Sequence, residues 1–406
     1  MKIIRNVLIL FTILLLIVSV VEGVLIYLVY TNPQEITIDQ ERITKFYTSS
    51  KTELDRVNDL LNSVPKQPKP INDVKVTGWI PDWDIPDGLE AVRSRPNTFD
   101  SISPVWYFVN SDGSLAPVNF VNGPSQRALF SEYNIKVIPA IQEFDAENLY
   151  KVLNSPENMQ RHIDAILDEV VSLGFDGIDL DYESTYLKDK HLFFEFLEKL
   201  SSRLRAENKE LIFTVLPKWG IDLLNGPKTL IQTRRVQDYK RIADLVDEFR
   251  IMSYEYSYPG SLKAGPIAPL EWMEEVIQYT IQQGVPREKI MLGVHNYVYD
   301  WPERELLDKV VTTEPFLDFT TPAMPTLEPA NVFSLISINS VKESPFTEEF
   351  NEEWGEMILR YNYEGKDRIV AYMTNRSIEL RKQLAAEYGL KGIAIWKIGD
   401  EGNLNY

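Results

Sequence analysis

Four acids crowd into the segment Asp176-Gly177-Ile178-Asp179-Leu180-Asp181-Tyr182-Glu183. Asp179, Asp181 and Glu183 alternate with Ile178, Leu180 and Tyr182, so an extended backbone sends the three acids to one face and the apolar set to the other. A buried column of carboxylates loses water and repels itself, which raises the proton affinity of some of its members. A carboxyl group that keeps its proton near neutral pH is a general acid. The same residues admit two other readings, a satisfied cluster of structural acids and a metal site. An EF-hand is disfavoured because Glu183 is not preceded by the glycine-containing twelve-residue loop. No metal and no cofactor is expected.

Such a strand needs a scaffold. From Val74 onward, short β-rich runs alternate with helical stretches, the pattern of parallel strands joined by crossover helices. Candidate strands begin at Val74, Asp100, Ile135, Phe175, Leu211, Phe249, Ile290 and Gly392, enough to close a TIM (β/α)8 barrel. The acids then face the barrel interior, and Glu183 stands at the carboxyl end of the fourth strand, where barrel enzymes place catalytic groups. Helix ends are legible too. Ser155-Pro156 supplies an N-cap and a first-turn proline, Met159, Ile163, Ile166 and Val170 share a face, and Gly174 terminates. Gly284 and Gly389 end two later helices. Roughly 70 residues separate the seventh strand from the last helix, more than a barrel connection takes, so an inserted subdomain is predicted over about 298–371.

The acidic strand resembles the Asp-x-x-Asp-x-Asp-x-Glu signature of glycoside hydrolase family 18, the chitinase family. Met252-Ser253-Tyr254-Glu255 resembles the family's Met-x-Tyr-Asp on strand six, with Glu255 in place of the usual aspartate, and Trp396 resembles the tryptophan that closes strand eight. The third strand, IKVIPAIQEFD, lacks the Ser-x-Gly-Gly often seen in chitinases. The resemblance runs from about Val74 to Glu401. It implies that Glu183 protonates the glycosidic oxygen, that Asp181 orients the substrate's 2-acetamido group, and that Asp179 shares a proton with Asp181. It further implies that Tyr254 hydrogen-bonds the acetamido oxygen and that Glu255 contacts a sugar hydroxyl beside Met252. The substrate would be a polymer of β-1,4-linked N-acetylglucosamine, chitin-like or the glycan of peptidoglycan, cleaved with retention by the substrate's own acetamide. Trp79, Trp219 and Trp396 fall near strand ends, where flat rings stack on sugars; for Trp79 and Trp219, rim packing is an equal reading. A carbohydrate-binding or wall-tethering protein on the same barrel is the alternative from another class, and metal dependence would mark a third.

Composition narrows the partners. Lys plus Arg total 42 against 60 Asp plus Glu, and the net charge of −18 repels nucleic acid and anionic lipid but not a neutral glycan. The chain has no cysteine, which excludes disulfides, thiolate metal sites and Cys nucleophiles. Its three histidines, His162, His191 and His295, lack the spacing of a zincin.

The apolar run Val7–Tyr30 is long enough to span a bilayer, with Lys2 and Arg5 before it and Glu35 and Asp39 after. Positive charge stays inside, so residues 1–30 are expected to form a cytoplasmic stub and single-pass anchor, with the catalytic domain outside the cytoplasm. Val21-Glu22-Gly23 offers a cleavage site that would instead release a secreted protein. Residues 31–73, ending in Pro65-Lys66-Gln67-Pro68-Lys69-Pro70, read as a stalk before the domain at 74–406.

Overall fold

A computed structural model describes residues 64–118, 133–219, 228–259, 261, 264–303, 331–333, 338–342, 345–400 and 402–406. Eight parallel strands close on themselves: Lys75–Ile80, Ser101–Val109, Ala140–Glu143, Gly177–Tyr182, Glu210–Val215, Glu248–Ile251, Ile290–His295 and Gly392–Trp396. The first strand pairs with both the second and the eighth, which is the closure. All eight runs chosen from the sequence are barrel strands, numbered one to eight below. Strand three breaks at Ile138-Pro139. Lys136–Val137 pairs alone with strand two, and the main run resumes at Ala140. Proline has no N–H for a ladder, so an interrupted strand is what its chemistry dictates.

The helices form as their patterns require. In Pro156–Ser172, Ser155 Oγ accepts the Asn158 N–H, and Met159, Ile163, Ile166 and Val170 are buried. Burial of each such side chain contributes about 1.5–3 kcal/mol. Gly174 follows with φ +66°, a left-handed turn that a side chain would oppose. The helix Asn375–Glu387 starts at a capping box between Thr374 and Ser377 and ends before Gly389, φ +67°.

Between strands seven and eight lies a five-stranded antiparallel sheet in the order Asn331–Phe333, Val298–Pro302, Lys366–Tyr372, Glu356–Tyr363, Phe346–Asn351. It has its own small core of Val298, Ile338, Leu359, Val370 and Tyr372. This is the inserted subdomain. The run Val7–Tyr30 and most of the stalk lie outside the described residues, and among those described no helix is long and apolar enough to cross a membrane.

Candidate active site

The floor of the site is an ionic layer inside the barrel. Asp179 is fully buried; it accepts hydrogen bonds from Trp79 Nε1 at 2.8 Å, Thr214 Oγ1 at 2.9 Å and Arg250 Nη1 at 2.9 Å. Arg250, on strand six, also reaches Glu248 Oε1 at 2.6 Å, Ser103 Oγ at 2.6 Å and Thr77 Oγ1 at 3.2 Å. Five strands are thereby tied to one guanidinium or its carboxylate partner. Burial pushes the Asp179 pKa up, and the Arg250 charge opposes that rise. No hydrogen bond joins Asp179 to Asp181, so the proton sharing implied for this pair has no direct bridge here.

One step higher on strand four sits Asp181. Strand register places Gln142 beside it, and Gln142 Nε2 donates to Asp181 Oδ2 at 2.9 Å. The other oxygen, Oδ1, is buried with no hydrogen-bond partner. A buried carboxylate oxygen left unmatched is costly, which makes it a natural acceptor for a ligand N–H. Burial, then the neighbouring Glu183, pushes Asp181 well above the ordinary carboxylate range. Glu183 is pushed up to about 7, first by burial and then by the charge of Glu255. The acidic strand therefore holds fewer negative charges than carboxyl groups, as repulsion at this spacing requires.

The segment Met252-Ser253-Tyr254-Glu255 is not strand. Strand six ends at Ile251, and Ser253 Oγ then donates to Gly293 O at 2.8 Å on strand seven. A Cβ on Gly293 would lie 2.3 Å from Ile251 O and 3.0 Å from the Tyr254 ring, so glycine there admits the chain that carries Tyr254. Glu255 has φ +67°, which costs a non-glycine residue about 1–3 kcal/mol. Offsetting this, the hydroxyls of Tyr297 and Tyr299 both donate to Glu255 Oε1. Burial raises the Glu255 pKa while those two phenols lower it. Tyr254 is buried and meets Tyr297 edge-on at 6.3 Å. Burial and then the charge of Asp181 raise its pKa, so its phenol stays a neutral donor.

Above these groups opens a cleft of about 920 Å³ whose lining includes Asp181, Glu183, Met252, Tyr254 and Glu255. Trp79, Trp219 and Trp396 border it as well. Trp396 lies half-buried between Trp79, 6.0 Å away, and the exposed Trp83 at 6.2 Å. Trp79 itself is 1% exposed and packs inside the barrel, so it offers a ligand almost no surface. Across the barrel, Trp219 meets Trp272 edge-on at 5.2 Å, and Trp272 meets the exposed Tyr256 at 5.5 Å. Of the site candidates named from the sequence, all but Asp179 line this one cleft, and Asp179 is fully buried behind it, bonded to Trp79.

Sequence reasoning missed Arg250, Gln142, Tyr297, Tyr299 and the outer aromatics Trp83, Tyr256 and Trp272. For Arg250 a signal existed. Glu248, Arg250 and Met252 share one parity on strand six, opposite Phe249 and Ile251, which marks them as inward-facing.

Paired carboxyls on the carboxyl-terminal rim of a (β/α)8 barrel, under a cleft walled with tryptophans, define a glycoside-hydrolase type of site. Residues 109–401 match the family described as glycosyl hydrolases family 18, and the chain belongs to it. YdhD of Bacillus subtilis, named as a sporulation-specific glycosylase, is 28% identical over 260 residues, which cover 63% of this chain and 54% of that protein. The cortical fragment-lytic enzyme of Bacillus anthracis is 28% identical over 262 residues, with the same coverage of 63% and 54%. The match therefore spans about half the length of these relatives. Among solved structures, a chitinase from Chromobacterium violaceum superposes with a TM-score of 0.68 at 18% identity, covering 81% of this chain and 96% of that one. The Bacillus cereus spore cortex-lytic enzyme SleL gives 0.66 at 22% identity, covering 80% and 71%. These two likenesses speak to the fold.

Proposed function

We propose that this chain hydrolyses β-1,4-linked N-acetylglucosamine polymers, chitin-like or the glycan of peptidoglycan, with retention of configuration. The observation that carries the reading is the pair Asp181–Glu183: two buried carboxyls with raised pKa values, one oxygen unmatched, beneath an aromatic cleft. Glu183, protonated near pH 7, gives its proton to the glycosidic oxygen as the bond breaks. Asp181 Oδ1 accepts the N–H of the 2-acetamido group, which turns the amide oxygen toward the anomeric carbon. The hydroxyl of Tyr254 holds that oxygen in line. The amide oxygen attacks, an oxazolinium forms, and water opens it with Glu183, now ionised, as the base. Glu255 and Met252 bound the same sugar, and Trp396 stacks on its apolar face. The names of the sporulation glycosylase and cortex-lytic relatives favour a wall glycan.

We also propose that Val7–Tyr30 anchors the enzyme with its catalytic domain outside the cytoplasm; the polarity of the flanking charges supports this.

The test is mass spectrometry of products from chitin oligomers and peptidoglycan glycan, using the wild type and Glu183→Gln. Cleavage at N-acetylglucosamine bonds by the wild type, lost by at least about 1,000-fold in the variant, is expected. Binding without any product would move the chain to the non-catalytic carbohydrate-binding class, and an active Glu183→Gln would overturn the assignment of the acid.

A further inference from the structure

Asp181 has a partner that the family resemblance does not assign. The third strand, which lacks the Ser-x-Gly-Gly often seen in chitinases, runs Ala140-Ile141-Gln142-Glu143. Its pleat turns Ala140 and Gln142 into the barrel: Ala140 packs with Trp79 in the interior cluster, while Ile141 belongs to the larger core that holds helical residues such as Leu149. Register then sets Ala140 beside Asp179 and Gln142 beside Asp181. Gln142 is 3% exposed, and its Nε2 donates to Asp181 Oδ2 at 2.9 Å from behind the cleft lining. Asp179, one layer below, is already committed. Its Oδ2 takes Trp79 Nε1 and Arg250 Nη1, and its Oδ1 takes Thr214 Oγ1.

We propose that Gln142 is a positioning residue for the glycosidase reaction: its amide holds Asp181 by Oδ2, so that Oδ1 stands fixed and unmatched for the acetamido N–H of the substrate. This rests on the glycosidase reading above and deepens it. The resemblance gives Asp179 the part of partner to Asp181, and here the hydrogen bond comes from strand three instead. A carboxyl turns about its own bonds unless one oxygen is held, and a held carboxyl meets an incoming N–H without reordering. Glutamine suits the task. Its Nε2 donates without carrying charge, so it grips the oxygen whether or not Asp181 is ionised, and it adds no carboxylate to a column that already repels itself. A glycine has no side chain to supply that donor.

The experiment measures steady-state cleavage of an N-acetylglucosamine oligomer by the full chain and two variants, together with binding of a thiazoline mimic of the cyclised intermediate. Gln142→Met keeps the length of the side chain and removes the donor. Its kcat should fall about 10- to 100-fold with KM within about threefold of wild type, and the mimic should bind more weakly by a similar factor. Gln142→Glu keeps the shape but donates only when a proton lies between the two carboxyls. Its kcat relative to wild type should therefore be lowest near about pH 8 and rise severalfold toward about pH 5. The ionisable groups around Asp181, namely Asp179, Glu183 and Tyr254, are common to both proteins, so the ratio reports the new pair. A role in packing alone would lower the yield of folded protein and leave that ratio flat. Gln142→Met with kcat within about twofold of wild type, or a Gln142→Glu ratio that does not change with pH, would overturn the proposal and leave the glycosidase reading standing. Should Gln142→Met fail to fold, the Gln142→Glu ratio decides. A wild type that cleaves no N-acetylglucosamine oligomer sinks the glycosidase reading itself, and the positioning role with it.

Discussion

Glu183 serves as an acid only while it holds its proton, and its pKa of about 7 comes first from burial and then from the charge of Glu255. Burial raises the Glu255 pKa, and the hydroxyls of Tyr297 and Tyr299 oppose that rise by favouring its charged form. In the free enzyme, kcat/KM should therefore fall as pH rises through about 7. Tyr299→Phe removes one donor from Glu255 and raises its pKa further, so that it holds less of its charge. Repulsion on Glu183 then weakens, and Glu183 ionises at lower pH. We expect the alkaline limb of the kcat/KM profile to move down by roughly half a pH unit. An unmoved limb, or one displaced upward, would show that Glu255 does not set the acid.

At the level of strands, the Arg250–Asp179 pair determines whether the barrel tolerates acids in its interior. Both side chains are 0% exposed, and one guanidinium links strand six to strands one, two and four. Arg250→Met keeps much of the volume but strands Asp179 as a buried, unmatched charge, which should cost about 3–5 kcal/mol. Urea unfolding will measure this, and adding Asp179→Asn should recover part of the loss. A single variant as stable as the wild type would contradict the ionic-layer account. All eight strands were legible because each is a short β-rich run next to a helical stretch. Less legible was where strands stop. Strand six ends at Ile251, four residues before Glu255 turns the chain into the left-handed region. The clamp on Glu255 was not legible either, since Tyr297 and Tyr299 lie 42 and 44 residues away in sequence and meet it only through the fold.

For the molecule as a whole, the insertion does more than fill the interval before strand eight. Tyr299 stands on its first strand, Val298–Pro302, and Glu356 of another strand accepts backbone N–H bonds from Ile267 and Ala268 and an Arg381 hydrogen bond at 3.1 Å. The insertion is thus pinned to the barrel by buried polar contacts and places one hydroxyl of the clamp. The proposed amino-terminal anchor predicts a second behaviour at this scale: protease added to intact cells should release the barrel domain into the medium. Protection until the membrane is broken would reverse the proposed topology. All of these parts bear on one chemical claim, that the attacking group comes from the substrate. Asp181 and Glu183 are two residues apart on one strand, about 6.5–7 Å along the chain, so Asp181 stands beside the acid and not across the sugar from it. Proton NMR of the first-formed anomer during cleavage of an N-acetylglucosamine oligomer tests this most directly. The β anomer should appear first, with no cleavage of the matching 2-hydroxyl oligomer; an initial α anomer would contradict the account.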